Sequence, residues 1–296
     1  MPPDLKPPIF LLGNVRSGTT MMYEFFDAHP AVAGWYEPRT VWTYADPSRR
    51  HDRFDASDAS PRVIRYIRGR FRKYQEQHGG RRVMEKTPSN LLRIPYVRAI
   101  FPECRYLYML REPLANLSSS ELKWQVSLNR VQFFKRLRET PKSQLHHYAG
   151  RLARDKVRKL LGKKHVSVWG VRYPGIYDDL KRMTVEEVIA KQWVECCRYA
   201  ENDLATIDPA LVLRVRYEDF VVDPVAQFER IAQHFDLDLP DELAQHIRET
   251  VDPERRTKWK RLHPEVLRRC LPIVRDEMGR QGYMVPAEIE EMLATK

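Results

Sequence analysis

The chain has 296 residues, 43% of them hydrophobic, and carries 51 Lys and Arg against 40 Asp and Glu, a formal charge of +11. That composition supplies a sizeable core and excludes wholesale disorder, and no apolar run approaches the roughly 18 residues of a membrane span. The four cysteines, Cys104, Cys196, Cys197 and Cys270, form no C-x-x-C pair, which argues against a disulfide framework or zinc site and for buried free thiols.

The charge is uneven. Arg49–Arg82 holds 11 Lys and Arg against 4 Asp and Glu, and Glu121–His165 holds 13 against 3. Blocks of this kind mark nucleic acid, a membrane surface, an anionic small molecule or simply a solvated helix face. The stretch Met1–Lys6 lacks a charged region followed by an apolar one, so no secretory signal is expected and a cytoplasmic location is.

Ile9 to Leu12 are apolar without alternation, as in a parallel strand covered on both faces. Gly13 and Gly18 bracket the following loop, and Thr19-Thr20 open a helix that carries Met22, Phe25 and Phe26 and ends near His29. Gly34 to Thr40 reads as a connecting segment. Pro61 to Gln77 is an amphipathic helix stopped at Gly79-Gly80. Arg82 to Pro88 is a short strand running into a turn, Ser89 to Ile100 is helical about Pro95, and Cys104 to Leu110 is a second strong strand. Arg111-Glu112-Pro113 then turns into a helix through Leu117 and Trp124. Glu121 to Lys164 is helical, basic and weakly patterned, and Trp169 to Gly175 is a loop that either lids an acceptor or covers the sheet. Thr184-Val185-Glu186-Glu187 is a capping box, Leu211 to Arg216 a strand, and Asp223-Pro224 a helix start. A final helix runs from Pro264 to Met278. Strands alternating with helices argue for an α/β fold: three layers, α/β/α, around a mainly parallel sheet. Residues 1–296 are expected to form a single domain, with 121–182 a helical and loop insertion flanking an acceptor site.

The loop after the first strand is built for an anion. Its glycines allow tight backbone approach, the helix start offers unpaired N–H groups and a positive dipole end, and Arg16 adds a fixed planar charge. It is not a Walker A loop, because Thr19 stands where that motif needs lysine. A second arginine, Arg111, leaves the end of the Cys104–Leu110 strand, with Ser119 one to two turns into the next helix. Ligands of open α/β sheets sit beyond the carboxyl ends of the strands, so two separate phosphates are expected there.

Gly13-Asn14-Val15-Arg16-Ser17-Gly18-Thr19-Thr20, followed by Arg111 and Ser119 at their spacing, resembles the sulfotransferases that use 3′-phosphoadenosine 5′-phosphosulfate (PAPS). The similarity is greatest to the branch holding the tyrosylprotein and related bacterial enzymes. It extends through Glu37-Pro38-Arg39, Glu85-Lys86-Thr87-Pro88, Arg216-Tyr217-Glu218-Asp219-Phe220, Thr257-Lys258-Trp259 and Gly282-Tyr283. The resemblance implies a P-loop NTPase-like sulfotransferase fold. It also implies in-line transfer of a sulfuryl group from PAPS to an acceptor hydroxyl, leaving adenosine 3′,5′-bisphosphate (PAP), with no metal. It assigns catalysis to Glu37, Lys86 and Arg16, and donor binding to Arg16, Ser17, Gly18, Thr19, Thr20, Arg111, Ser119, Tyr217 and Lys258. Glu37 is the candidate base and Lys86 the candidate neutraliser of the leaving oxygen; His29 is the other candidate base. The acceptor stays open among a glycan, lipid, small molecule or peptide tyrosine, and the basic blocks favour an anionic one. No nucleic-acid partner is expected, peripheral membrane contact stays open, and the oligomeric state is not set. Two rivals remain: a P-loop nucleotide kinase or NTPase, disfavoured by Thr19 and the lack of a Walker B aspartate, and a basic nucleic-acid-binding protein without catalysis, disfavoured because the charge lies in blocks without interleaved aromatics on a recognisable RNA or DNA module.

Overall fold

The computed structural model describes residues 4–124, 168–252, 260 and 262–294. Five strands make one parallel sheet: β1 (Ile9–Gly13), β2 (Val32–Tyr36), β3 (Arg82–Lys86), β4 (Arg105–Leu110) and β5 (Val212–Arg216), in the order β2-β3-β1-β4-β5. β1 is central. Ile9 pairs with Met84 on one side and Arg105 on the other. Its five residues are buried, which is why the run lacks alternation.

The pleat divides the core in two. Phe10, Leu12, Tyr106 and Tyr108 face one cluster, covered by α3 (Pro61–Gln77), α4 (Ile94–Ile100), α7 (Val185–Leu204) and α11 (Pro264–Arg280). Ile9, Leu11, Met84, Leu107 and Met109 face the other, under α1 (Thr19–Ala28), α9 (Pro224–His234) and α10 (Asp241–Thr250). The result is the expected three-layer architecture. Phe10 sits at the centre of an aromatic knot, its ring centroid 5.6 Å from Phe101, 5.7 Å from Trp42 and 5.9 Å from Phe71. Such pairs add about 0.5–1.5 kcal/mol each beyond burial.

The remaining helices are α2 (Arg39–Trp42), α5 (Pro113–Trp124), α6 (Ile176–Arg182), α8 (Tyr217–Phe220) and α12 (Ala287–Ala294). The capping box at Thr184 is present, with Glu187 reaching back to the Thr184 N–H at 2.7 Å, and Asp223 caps α9. One element departs from the sequence reading: Val32–Tyr36 is a strand, not a connector. Among the described residues it holds an edge position, paired with β3 alone, and Gly34 interrupts the apolar pattern there because a Cβ would lie 2.7 Å from Asp27 Oδ1 and 2.8 Å from the Tyr23 ring.

The expected loop at Trp169–Gly175 packs against α7. Gln192 Nε2 donates to the carbonyls of Trp169 (3.2 Å) and Val171 (2.7 Å), and Val171 and Tyr173 are buried. All four cysteines are buried, and none is in a disulfide. Residues 125–167 of the expected insertion lie outside the described residues, as do Thr257, Lys258 and Trp259. Among the described residues, no helix is long and apolar enough to cross a membrane.

Candidate active site

Every strand delivers one candidate residue at its carboxyl end. In sheet order these are Glu37 after β2, Lys86 at the end of β3, the Asn14–Gly18 loop after β1, Arg111 after β4 and Tyr217 after β5. Neighbouring strands lie about 4.8 Å apart, so these groups form a row rather than a ring. Parallel pairing makes this row possible, since every strand ends on the same edge.

The loop is shaped by glycine. Gly18 has φ +83, and a Cβ there would sit 2.5 Å from Tyr217 Cδ2, so no side chain fits between helix start and ring. No side chain caps α1 at Gly18, and its first turn holds no acidic residue. The amides of Thr19 and Thr20 therefore point their positive end into the loop, as an anion requires. Ser17 is buried, its N–H donating to the Asn14 carbonyl (3.1 Å) and its hydroxyl accepting from Asn116 Nδ2 (3.3 Å). Ser17 thus closes the loop from within. Arg16 adopts φ +67, a left-handed conformation that non-glycine residues adopt at a cost and that clusters at functional sites.

The two expected phosphate regions are contiguous. Arg16 Nε donates to Ser119 Oγ at 2.8 Å, and Arg111 Nη1 donates to the Arg16 carbonyl at 2.7 Å. The Arg111 guanidinium lies 4.2 Å from the centroid of the Tyr217 ring, so Tyr217 supports Arg111 on one face and Gly18 on another. Glu112 turns away from this pair and caps α5, its carboxylate accepting from the N–H groups of Leu114 (2.8 Å) and Ala115 (2.6 Å).

Glu37 and Lys86 form the other half. Lys86 Nζ donates to Glu37 Oε1 at 3.0 Å, and Arg39 Nη2 donates to Glu37 Oε2 at 2.6 Å. The Lys86 side chain is only 4% exposed, and its Nζ lies 4.6 Å from the centroid of the partly exposed Tyr36 ring. Glu37, like Arg16, is left-handed, at φ +49, and its N–H donates to the Lys86 carbonyl at 2.9 Å. Burial works to raise the Glu37 pKa, but the charges and hydrogen bonds of Arg39 and Lys86 outweigh it and hold the carboxyl at about 2. Lys86 thus pairs with Glu37 rather than with its chain neighbour Glu85.

His29 is at the far end of α1 from the loop, about 15 Å along a ten-residue helix. Its Nδ1 accepts from the Ala31 N–H (3.1 Å) and its Nε2 lies 2.8 Å from the Asp238 carbonyl. Both ring nitrogens are thus occupied in fastening the chain, and Glu37 is the candidate that faces the loop's neighbour strand. Among the described residues no group of three or more His, Cys, Asp or Glu side chains could hold a metal.

Three arginines of the basic block Arg49–Arg82 are paired with carboxylates within the fold. Arg49 pairs with Asp58 (2.7 Å) and Asp46 (3.4 Å), Arg53 with Asp203 (2.5 Å) and Asp55 (2.6 Å), and Arg68 with Glu103 (2.9 Å). Several supporting residues escaped sequence reasoning. Asn116 Nδ2 donates to the Val15 carbonyl (2.6 Å), Trp193 Nε1 to the Arg111 carbonyl (3.1 Å), and Asn14 Nδ2 to the Trp193 carbonyl (3.5 Å). Asn116 lies inside the Arg111–Ser119 segment, one turn before Ser120, and an apolar-faced helix carrying a buried amide was the available signal.

A family model described as "Sulfotransferase family" matches residues 7–179 and 151–241. The omega-hydroxy-beta-dihydromenaquinone-9 sulfotransferase Stf3 of Mycobacterium tuberculosis is 22% identical over 288 residues, covering 78% of this chain and 63% of the relative. The chain therefore spans less than two thirds of that protein's length. Protein-tyrosine sulfotransferase A of Caenorhabditis elegans is 29% identical over 126 residues, 38% of this chain and 33% of that one. Among solved structures, the sulfotransferase domain from the curacin biosynthetic pathway superposes with a TM-score of 0.56 at 14% identity, covering 96% of this chain and all of that one, a likeness of fold.

Proposed function

This chain belongs to the sulfotransferase family, and on that basis we propose that it moves a sulfuryl group from PAPS to an acceptor hydroxyl. The observation that carries the reading is the row of strand ends: a carboxylate and a buried lysine in contact on one side of an open helix N-terminus, and on the other Arg111 and Ser119, each bonded to Arg16 of the loop. A nucleoside triphosphate has one phosphate chain and needs only the loop. A donor with a 3′-phosphate and a 5′-phosphosulfate needs both halves.

In this reading the Thr19 and Thr20 amides and Arg16 hold the 5′-phosphosulfate. Arg111 and Ser119 hold the 3′-phosphate, with Tyr217 beneath Arg111; Lys258 would join them from outside the described residues. The donor, when bound, supplies an activated sulfuryl group with PAP as leaving group. Lys86 places positive charge at the oxygen that takes up charge as the sulfuryl group departs, which is the main lever such sites use. Glu37 accepts the proton of the acceptor hydroxyl. A carboxyl held at about 2 is a weak base. Drawing Lys86 toward the donor removes one of its two cations and strengthens it. Cationic side chains and helix amides supply the charge stabilisation, so the chemistry requires no metal.

The acceptor carries a hydroxyl; relatives are named for a hydroxylated menaquinone and for protein tyrosine. An anionic acceptor would meet the cations of the two basic blocks other than Arg49, Arg53 and Arg68, which are paired within the fold. We place the protein in the cytoplasm as a single domain. The test is transfer of radiolabelled sulfate from PAPS to a panel of tyrosine peptides, glycans, lipids and small alcohols. It is paired with calorimetric binding of PAP against ATP. Transfer to one acceptor class with preference for PAP is expected; tight ATP binding without PAP binding would overturn the reading.

A further inference from the structure

Glu85 is a fully buried carboxylate that the reaction does not touch. It lies on β3 between β1 and β2, paired with Phe10 on one side and Trp35 on the other, and its backbone is fixed by both ladders. Its side chain gathers three donors. Trp42 Nε1 donates to Oε1 at 3.0 Å, Thr87 Oγ1 donates to the same oxygen, and Asn90 Nδ2 donates to Oε2 at 2.6 Å.

Those donors come from the two segments that carry the reacting pair. Trp42 ends α2, the single turn that begins two residues after Glu37, where Arg39 N–H donates to the Glu37 carbonyl at 2.7 Å. Thr87 and Asn90 belong to the turn that follows Lys86 directly, closed by the Asn90 N–H to the Thr87 carbonyl at 2.9 Å. If packing were the only need, an apolar side chain would fill this space without the desolvation cost of a buried acid. We infer that Glu85 is a positioning residue for sulfuryl transfer, its ionised carboxylate holding α2 and the Thr87–Asn90 turn together so that Glu37 and Lys86 stay in register. This inference rests on the roles given above to Glu37 and Lys86.

Three donors suit an ionised carboxylate, an acceptor-only group, whereas a protonated acid brings an O–H that needs an acceptor among side chains that already donate to it. Burial pushes the Glu85 carboxyl up, to about 7, against the hydrogen bonds of Thr87 and Trp42. The charged groups around it are Glu37 and Arg93, with Lys86 next in the chain and Asp52 and Arg172 behind Arg93. Glu37 and Asp52 are both held well below the usual carboxylate range by their arginine and lysine partners, and the arginines keep their charge. Loss of the Glu85 charge below neutrality therefore loosens the Glu37–Lys86 pair while its neighbours stay as they are.

The experiment compares wild type, Glu85→Gln and Trp42→Phe with PAPS and the best acceptor from the panel, between pH 6 and 8. Wild-type kcat should fall as pH drops through about 7. Glu85→Gln, which mimics the protonated acid, should show a flat profile with kcat at pH 8 lower by roughly tenfold to a hundredfold, the scale of small misplacements of reacting groups. PAP affinity should be unchanged. A structural role alone would lower Tm and leave the shape of the pH profile intact. If Glu85→Gln does not fold, Trp42→Phe decides: a lower kcat with a displaced inflection supports the role, and a wild-type profile overturns it. Wild-type kcat and profile in Glu85→Gln, alongside an inactive Glu37→Gln, would overturn this inference alone; an active Glu37→Gln would overturn the reading beneath it.

Discussion

Replacing Glu37 by glutamine keeps the shape of the side chain and removes its charge, and the structure separates three consequences. The first is catalytic: loss of a general base costs roughly 10²–10⁴ in kcat. The second concerns stability. The carboxyl is held at about 2 against an ordinary 4.5, and at 1.36 kcal/mol per unit that depression is worth about 3 kcal/mol. A depressed acid stabilises the fold above its unfolded value and loses that contribution as pH falls through its folded value. Wild type should therefore weaken between pH 5 and 2, whereas Glu37→Gln starts weaker at pH 7 and changes less on acidification. Arg39, at 37% side-chain exposure, can turn to water, but Lys86, at 4%, cannot, so the loss falls mainly on Lys86. The third consequence is an absence of effect. Arg16, Ser119 and Arg111 bond one another and not Glu37, so the PAP Kd should hold to within about twofold. The assays are sulfate transfer at saturating donor, calorimetry with PAP, and thermal unfolding across pH. Wild-type turnover would remove Glu37 from the mechanism. A fall in kcat matched by an equal loss of PAP affinity would show that it acts through the integrity of the site.

Four further outcomes follow from the same geometry. Ser119→Ala removes the partner of Arg16 Nε and should weaken PAP about tenfold, the scale of a charge-assisted hydrogen bond. Adenosine 5′-phosphosulfate, which lacks the 3′-phosphate, should weaken less than PAP in the same competition assay, by only what loss of the Arg16 contact costs. Gly18→Ala forces a Cβ toward Tyr217 at a φ of +83, and should cost about 1–3 kcal/mol of stability in denaturant titration and abolish measurable PAP binding. Asp52→Asn leaves the buried Arg93 and Arg172 without the carboxylate that lies 3.6 and 2.6 Å from them. Uncompensated buried charge costs about 3–5 kcal/mol, a fall in Tm on the order of 10 °C. EDTA should leave sulfate transfer unchanged, because Arg16, Lys86 and the α1 amides carry the charge stabilisation; loss of activity restored by a divalent cation would refute that assignment.

The fold was legible where burial leaves a mark in composition. The runs at Ile9–Leu12 and Tyr106–Leu110 are apolar throughout because helices cover both faces of those strands. Val32–Tyr36 was not legible, because an edge strand pairs on one side only and Gly34 breaks its pattern to clear Asp27 and Tyr23. In the site, Arg16 and Arg111 stood out by residue type at the ends of strands, and Glu37, Lys86 and Tyr217 through the resemblance to the sulfotransferases. The groups that hold them did not. Trp193 reaches the Arg111 carbonyl and Asn14 reaches Trp193 from opposite parts of the chain, and distances of that kind are not written in local spacing. The basic block at Arg49–Arg82 shows the reverse error: its charges are plain in the sequence, but their partners at Asp46, Asp58, Glu103 and Asp203 appear only once the chain is folded.

The order of the sheet also bears on how the protein acquires activity. Each pair of neighbouring strands must close a long stretch of chain, since Ile9 meets Met84 and Arg105, and Tyr106 meets Val212. Non-local pairing of this kind folds slowly, because loop closure is lost before contacts repay it. A chain emerging in order has Arg16, Lys86 and Arg111 in hand well before β5 delivers Tyr217 beneath the Arg111 guanidinium. Nucleotide affinity should therefore arrive with the last strand, so that during refolding PAP binding reports completion of the sheet rather than its collapse.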